Sequence, residues 1–348
     1  MDLYSDLKSR IAPLRAVMYD FDLEGLRAAL HALCAPGVVF RLSFPFETIE
    51  GVDAYVDRVY GPLASAWPDL ERRDYIVMAG PTPEGADWVG CGGYYTGVFT
   101  RPWLDMPPTG HTAHMRFHEF YRFEDGKITE TQALWDIPEV MIQANAWPMS
   151  PSLGREWCVP GPATCDGLVT GPHDAEQSRA TCQHIIDMLE HLKKHPSQGG
   201  PEVMVMERFW HPRMSWYGPS GIGTGRGQRG FRHWHQIPFL NAMPDRGQYV
   251  DEIEYHFFGD ANYAAVTGWP DMYQSITHGG WLGIAPTGKK MEMRSLDFWR
   301  LEDGLIRENW VLVDMLHMYD QIGVDVFARM REFNKARAGF DPETGVAI

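Results

Sequence analysis

Residues 115–123 alternate between two rows: Met115, Phe117, Glu119, Tyr121 and Phe123 against Arg116, His118, Phe120 and Arg122. A period of two predicts a β-strand with two unlike faces. The alternation returns from Met293, with Met293, Ser295, Asp297, Trp299 and Leu301 in one row and Arg294, Leu296, Phe298 and Arg300 in the other. One carboxylate stands alone in each mostly apolar row, Glu119 in the first and Asp297 in the second. Both strands run into an Asp-Gly pair, Asp125-Gly126 and Asp303-Gly304, which predicts a hairpin. The loop is either of two residues, or of three with glycine in a left-handed bulge, and the choice fixes which face of the returning strand joins Glu119. With the bulge, Thr131, Ala133 and Trp135 join Glu119, while Asn309, Val311 and Val313 join Asp297. The opposite face then holds Arg116, Arg122, Glu130 and Asp136, which can pair across the strands.

The two hairpins belong to a longer repeat. MRFHEFYRFEDGKITE from Met115 returns as MRSLDFWRLEDGLIRE from Met293, a spacing of 178 residues. Trp103 to Gly110 matches Trp281 to Gly288, Asp136 matches Asp314, and Gln143 matches Gln321. At a slightly smaller spacing, Ala66-Trp67-Pro68-Asp69 matches Ala242-Met243-Pro244-Asp245, and Gly51 matches Gly227. Order kept over a whole half-chain indicates a duplication.

In each half, helical spacing comes first and strand alternation follows. Residues 3–33 predict helices interrupted at Pro13 and around 20–22, then a strand over 38–44 and a helix led by Gly51 and ending near Ala66. Strands over 75–79 and 88–99 lead to the hairpin and a short helical tail near Ala146. The second half predicts a helix over 175–194, a strand near 213–217, a helix over 231–241, strands, hairpin and tail. Between the halves lies a Pro- and Gly-rich linker whose Trp157 points to contact with a surface. The expected division is 1–147, linker 148–174, 175–335 and a tail 336–348, in the α+β class.

Composition narrows the function. A formal net charge of −15 disfavours nucleic acid or an anionic membrane as partner. No apolar run reaches a membrane span and the amino terminus has no signal-like core, so a cytoplasmic location is expected. Five scattered cysteines without a CxxC pair give neither a disulfide framework nor a zinc site.

The motifs taken in order are helices, a strand, a Gly-led helix ending in Pro-Asp, PPTG, DGKI, then an Asp and a Gln-Ile-Gly. They resemble the SnoaL-like polyketide cyclases of the nuclear transport factor 2 and ketosteroid isomerase superfamily. The resemblance covers both halves and is clearest in WLGIAPTGKK and FWRLEDGLIRENWVLVDMLHMYDQIG. It implies two cone-shaped barrels, each with helices on a curved, mainly antiparallel sheet around an apolar pocket, and acid–base chemistry without a cofactor. Such folds pair through the outer face of the sheet, so the copies are expected to form a pseudo-dimer within one chain through Leu296, Phe298, Trp310 and Leu312. Further homodimerisation is left open. By this resemblance the family's catalytic aspartate falls on Ala133 and Val311, and its pocket histidine on Glu119 and Asp297. An acid thus stands where a histidine would be.

A carboxyl among Phe117, Tyr121 and Phe123 is desolvated, which raises its pKa toward that of a base working near neutral pH. Asp297 and Glu119 are therefore the candidate bases, with His233, His235 and His278 as candidate proton carriers. Tyr121, Trp135, Thr131, Trp299, Asn309, Tyr217, Tyr273 and Trp281 are the candidate substrate contacts, suited to a flat hydrophobic ligand with a carbonyl or hydroxyl. His111, His114 and His118 do not share one strand face, and no metal is expected. Gly225 to Gly230 spells GxGxxG, but no βαβ unit surrounds it and no dinucleotide is expected. The expected function is a cofactor-independent cyclase, isomerase, dehydratase or aldol-type lyase. The alternative is a non-catalytic small-molecule-binding or protein-interaction protein of the same fold.

Overall fold

The computed structural model describes residues 2–171 and 173–335; the expected tail 336–348 lies outside the described residues. The first copy opens with helices Leu3–Tyr19 and Leu23–Leu33, capped by the side chains of Asp2 and Asp22. Pro13 lies inside the first helix rather than ending it. The lost backbone hydrogen bond is outweighed by a buried stripe of Tyr4, Leu7, Ile11, Leu14 and Met18.

Strands β1 (Cys34–Leu42), β2 (Thr48–Glu50), β3 (Glu71–Pro81), β4 (Asp87–Val98), β5 (Thr112–Glu124) and β6 (Lys127–Trp135) form one sheet in the order β2-β1-β6-β5-β4-β3. Only β1 and β6 run parallel. The second copy contributes β7 (Trp210–Tyr217), β8 (Gly225–Arg226), β9 (His256–Asp260), β10 (Tyr263–Thr267), β11 (Met272–Ser275), β12 (Lys290–Met293), β13 (Ser295–Glu302) and β14 (Leu305–Val313). Its main sheet, β8-β7-β14-β13-β10-β9, repeats the order of the first, and β11 pairs with β12 beside it. The fold is α+β, with helices closing two curved mixed sheets. GxGxxG spans β8 and the helix Gly227–Phe231, and β8 runs antiparallel to β7, so no βαβ unit is formed.

The hairpin register settles the open choice of turn. Asp125 and Gly126 both have positive φ, 48° and 75°, and Glu124 pairs with Lys127, so the loop has two residues. A register shift between Arg122 and Phe123 follows, because Arg122 pairs with Glu130 whereas Phe123 pairs with Ile128. Thr129 is the extra residue, and the bulge lies in the strand rather than at the turn glycine. It still places Ala133 opposite Glu119 and Thr131 opposite Tyr121. Copy two repeats the shift at Arg307, placing Val311 opposite Asp297 and Asn309 opposite Trp299.

The outer faces of the sheets meet in a pseudo-dimer. Leu296, Phe298, Trp310 and Leu312 are buried with Ile76, Met78, Trp88, Phe120 and Leu134. Phe120 stacks on Phe298 with centroids 5.0 Å apart. The repeated aspartates serve this seam. Asp136 accepts the Ser220 backbone N–H at 3.0 Å, and Asp314 accepts that of Phe44 at 2.9 Å, the same contact made in both directions. The repeated glutamines brace strands: Gln143 exchanges hydrogen bonds with the backbone of His114, as Gln321 does with that of Glu292. Linker residues Val159 and Val169 are buried in the seam, while Trp157 is half exposed and donates to Thr224 Oγ1 at 3.0 Å. Among the described residues no helix is long and apolar enough to cross a membrane.

The two backbones come close at one point, where a Cβ added to Gly80 would stand 2.6 Å from the Gly259 carbonyl oxygen. Gly80→Ala is expected to destabilise the protein by about 1–3 kcal/mol, read by urea unfolding, because backbone cannot yield as a side-chain tip does.

Candidate active site

The interiors of the two copies have opposite characters. In copy one, Glu119 is fully buried and holds a closed network. Arg72 Nη1 lies 2.6 Å from Oε2, the Tyr121 hydroxyl donates at 2.5 Å, the Tyr95 hydroxyl at 2.8 Å and Trp135 Nε1 at 2.9 Å. Arg72 also pairs with Asp74, and its guanidinium lies 4.2 Å from the centroid of the Phe117 ring. With a guanidinium and three donors on one carboxylate, Glu119 is committed to a structural network, which overturns its candidacy as a base. Tyr121 and Trp135 are spent on the same network, and Thr131 is buried on its face of β6, so these three are interior residues rather than substrate contacts.

Copy two keeps a cavity of ≈ 140 Å³ lined largely by aromatic and aliphatic side chains. Its floor is β13 and β14, which contribute Asp297, Trp299, Asn309 and Val311. Trp216 enters from β7, and His235 and Gln236 from a π-helical turn, Arg232–Gln236, set between two α-helical segments. Such a turn widens the helix and commonly marks functional sites. His235 stacks on Trp216 with centroids 3.9 Å apart. Trp281 and Tyr273 complete the aromatic lining.

Asp297 is only half-buried because its carboxylate meets the cavity, and among the described residues it forms no ion pair. Ser295 Oγ donates to Oδ1 at 2.6 Å. Burial raises its pKa to about 7; hydrogen bonds from Ser295 and Asn309 and the charge of Arg116 oppose the rise only in part. Asp271 lines the same cavity and its Oδ1 has no hydrogen-bond partner among the described residues. Burial first, then the Asp297 charge, pushes its pKa well above the carboxylate range. Two acids whose pKa values are both raised by burial thus face one space.

The expected residues divide accordingly. Asp297, His235, Trp299, Asn309, Tyr273 and Trp281 come together in the cavity. His233 and His278 do not: His233 is exposed, edge-on to Trp234, and His278 is exposed on the loop beyond β11, next to the Thr277 hydroxyl. Tyr217 points into the seam and donates to Glu308 at 3.1 Å, because strand parity gives the cavity to its neighbour Trp216. His118 also lies in the seam, where its Nδ1 donates to the Leu296 carbonyl at 2.6 Å. Among the described residues no group of three His, Cys, Asp or Glu side chains is placed to hold a metal ion.

Asp271 and Arg246 escaped the sequence reading. Asp271 had a signal. Cys91 pairs with Glu119 and Val266 with Asp297, while Tyr95 pairs with Met115 and Met272 with Met293. Three residues separate Cys91 from Tyr95 and five separate Val266 from Met272, so copy two carries two extra residues that break the strand and bring in Asp271. Arg246 follows the matched Pro-Asp pair, where the copies diverge and no pattern marks it.

The model for SnoaL-like polyketide cyclase matches residues 15–144 and 272–322, one segment in each copy and just over half of the chain together. The chain belongs to the SnoaL-like polyketide cyclase family. Within the family it is a duplicated member. Among solved structures it is similar to a protein from Jannaschia sp. CCS1 provisionally named a SnoaL-like polyketide cyclase, at 21% identity over 40% of this chain and 92% of that one, with a TM-score of 0.35. A provisionally named polyketide cyclase from Acidithiobacillus ferrooxidans is 22% identical over 42% of this chain and 98% of its own, with a TM-score of 0.35. An NTF2-like protein from Burkholderia thailandensis E264 is 21% identical over 40% and 96%, with a TM-score of 0.31. No curated protein matches the chain.

Burial lowers the pKa of His235 to about 3, helped by the charge of Arg246. Its imidazole is expected to stay neutral, so its ring carbon-bound protons should show no titration between pH 5 and 8 in an NMR series. A midpoint near 6.5 would return His235 to the acid–base candidates.

Proposed function

We propose that copy two is a cofactor-independent acid–base enzyme that abstracts a proton next to a carbonyl of a hydrophobic, polyketide-like small molecule. The observation that carries this reading is the Asp297 carboxylate, which faces the aromatic cavity without a cationic partner among the described residues. Asp297 acts as the base. Ser295 holds it, and Asp271, its pKa raised by burial, donates to the carbonyl oxygen as enolate charge develops there. Trp216, Trp281 and Trp299 exclude water and set the plane of the substrate. Cyclisation, isomerisation, dehydration and retro-aldol cleavage all follow from the same enolate-type intermediate.

Copy one takes a supporting role in this reading, since Arg72 and the tyrosines fill the space around Glu119. It supplies the outer face against which the catalytic sheet is held.

The shared step can be tested without the natural substrate. Wild-type protein in D2O is expected to accelerate deuterium incorporation at the α-carbon of 2-tetralone, followed by NMR. An exchange rate no higher than that of buffer with Asp297→Asn protein would overturn the enzyme reading and leave a binding protein.

A further inference from the structure

Arg72, Arg116, Arg294 and Arg300 are the most deeply buried arginines, and each has a carboxylate partner: Glu119, Asp136, Glu47 and Glu308 respectively. Arg246, half-buried at the cavity wall, has no such partner among the described residues. It lines the copy-two cavity, its Nη1 donates to the Leu192 carbonyl at 3.3 Å, and among the described residues it forms no ion pair. Asp271 and Asp297 share the cavity but do not bond to it, because Asp297 takes Ser295 and the Asp271 Oδ1 has no hydrogen-bond partner among the described residues. The other cation on the wall, Lys193, is held by Glu190 at 2.7 Å. Burying a guanidinium that no carboxylate contacts carries a desolvation cost, and here burial lowers the Arg246 pKa, opposed only in part by the nearby Tyr255 and Asp271.

We infer that the substrate is an aromatic or similarly flat hydrophobic acid whose carboxylate pairs with Arg246, which makes Arg246 the specificity-determining residue of the cavity. The inference rests on the acid–base reading for what happens next, but the binding claim stands by itself. A guanidinium presents parallel N–H donors that match a planar carboxylate, and the aromatic lining takes the ring attached to it. The anchored carboxylate fixes the ligand in one orientation, as positioning of a carbonyl against Asp297 requires. Copy one has Leu70 at the matching position after its Pro-Asp pair, so this feature belongs to copy two alone.

The test is isothermal titration calorimetry at pH 7.5 with 2-naphthoate and its neutral analogue 2-naphthamide. Wild-type protein is expected to prefer naphthoate roughly tenfold to hundredfold, the range of a hydrogen bond to a charged group. Arg246→Gln should bring the ratio close to one while naphthamide still binds. Arg246→Lys, which keeps the charge and loses the fork, should fall between the two and serves if the Gln variant does not fold. Failure of wild-type protein to bind naphthoate, equal binding of the two compounds, or an unchanged preference in both variants would overturn the inference. Selectivity without deuterium exchange in 2-tetralone would sink the acid–base reading alone. Exchange without selectivity would sink only the role of Arg246.

Discussion

Asp297→Asn is expected to lower protein-catalysed exchange of 2-tetralone by about 10²–10⁴-fold, the contribution of a positioned general base. The loss should appear with the fold intact, since asparagine keeps the shape and can still pair with Ser295. The pH profile of the wild type identifies the group. A base must be ionised to act, so the rate should rise with pH and level off above about 7, the pKa to which burial lifts Asp297. A fall in rate over that range would assign the limb to an acid instead.

The same variant makes a stability prediction of opposite sign. The folded pKa of Asp297 lies above its unfolded value of 3.8, so between those values the native state binds more protons than the unfolded chain. Stability is therefore lost as pH rises from about 4 to 7 through this group. At pH 8 the Asn variant should be more stable than the wild type, by up to about 4 kcal/mol in urea unfolding. A residue that gains stability while losing activity is a functional one. If the variant is less stable at pH 8, Asp297 holds the fold and the assignment fails.

The second large effect lies in copy one. Arg72→Gln leaves Glu119 buried without its cation, and the expected loss is about 3–5 kcal/mol by urea unfolding. Tyr95, Tyr121 and Trp135 still donate to Glu119, so the loss should stay within this range rather than unfold the copy outright. Replacing both partners with leucine should recover part of it, because no unpaired charge remains. Below the unfolding transition, exchange in copy two should change little. A fall in exchange as large as that of Asp297→Asn would place chemistry in copy one and reverse the division of labour between the copies.

The duplication, the strand faces and the pairing of sheets were legible in the residues. Period-two alternation depends only on neighbours along the chain, and it put Leu296 and Phe298 on the face opposite Asp297; that the outer face forms the seam was what the family resemblance implied. The candidate Tyr217 lies on the wrong face, because the choice between adjacent aromatic residues depends on which face the strand turns inward. Two exposed histidines were chosen for proximity along the chain to elements near the cavity mouth, which does not fix the direction of a side chain.

The sequence by itself determined the fold, because a repeat keeps its hydrophobic periods even where the residues that fill them change. It also marked the two lone carboxylates as a matched pair. Only the tertiary structure decided that they have different fates. Glu119 meets Arg72, which comes from a strand 47 residues away, while Asp297 meets open space and Asp271. A pKa depends on what occupies the few ångströms around a group, and those neighbours come from distant parts of the chain that no local pattern brings together.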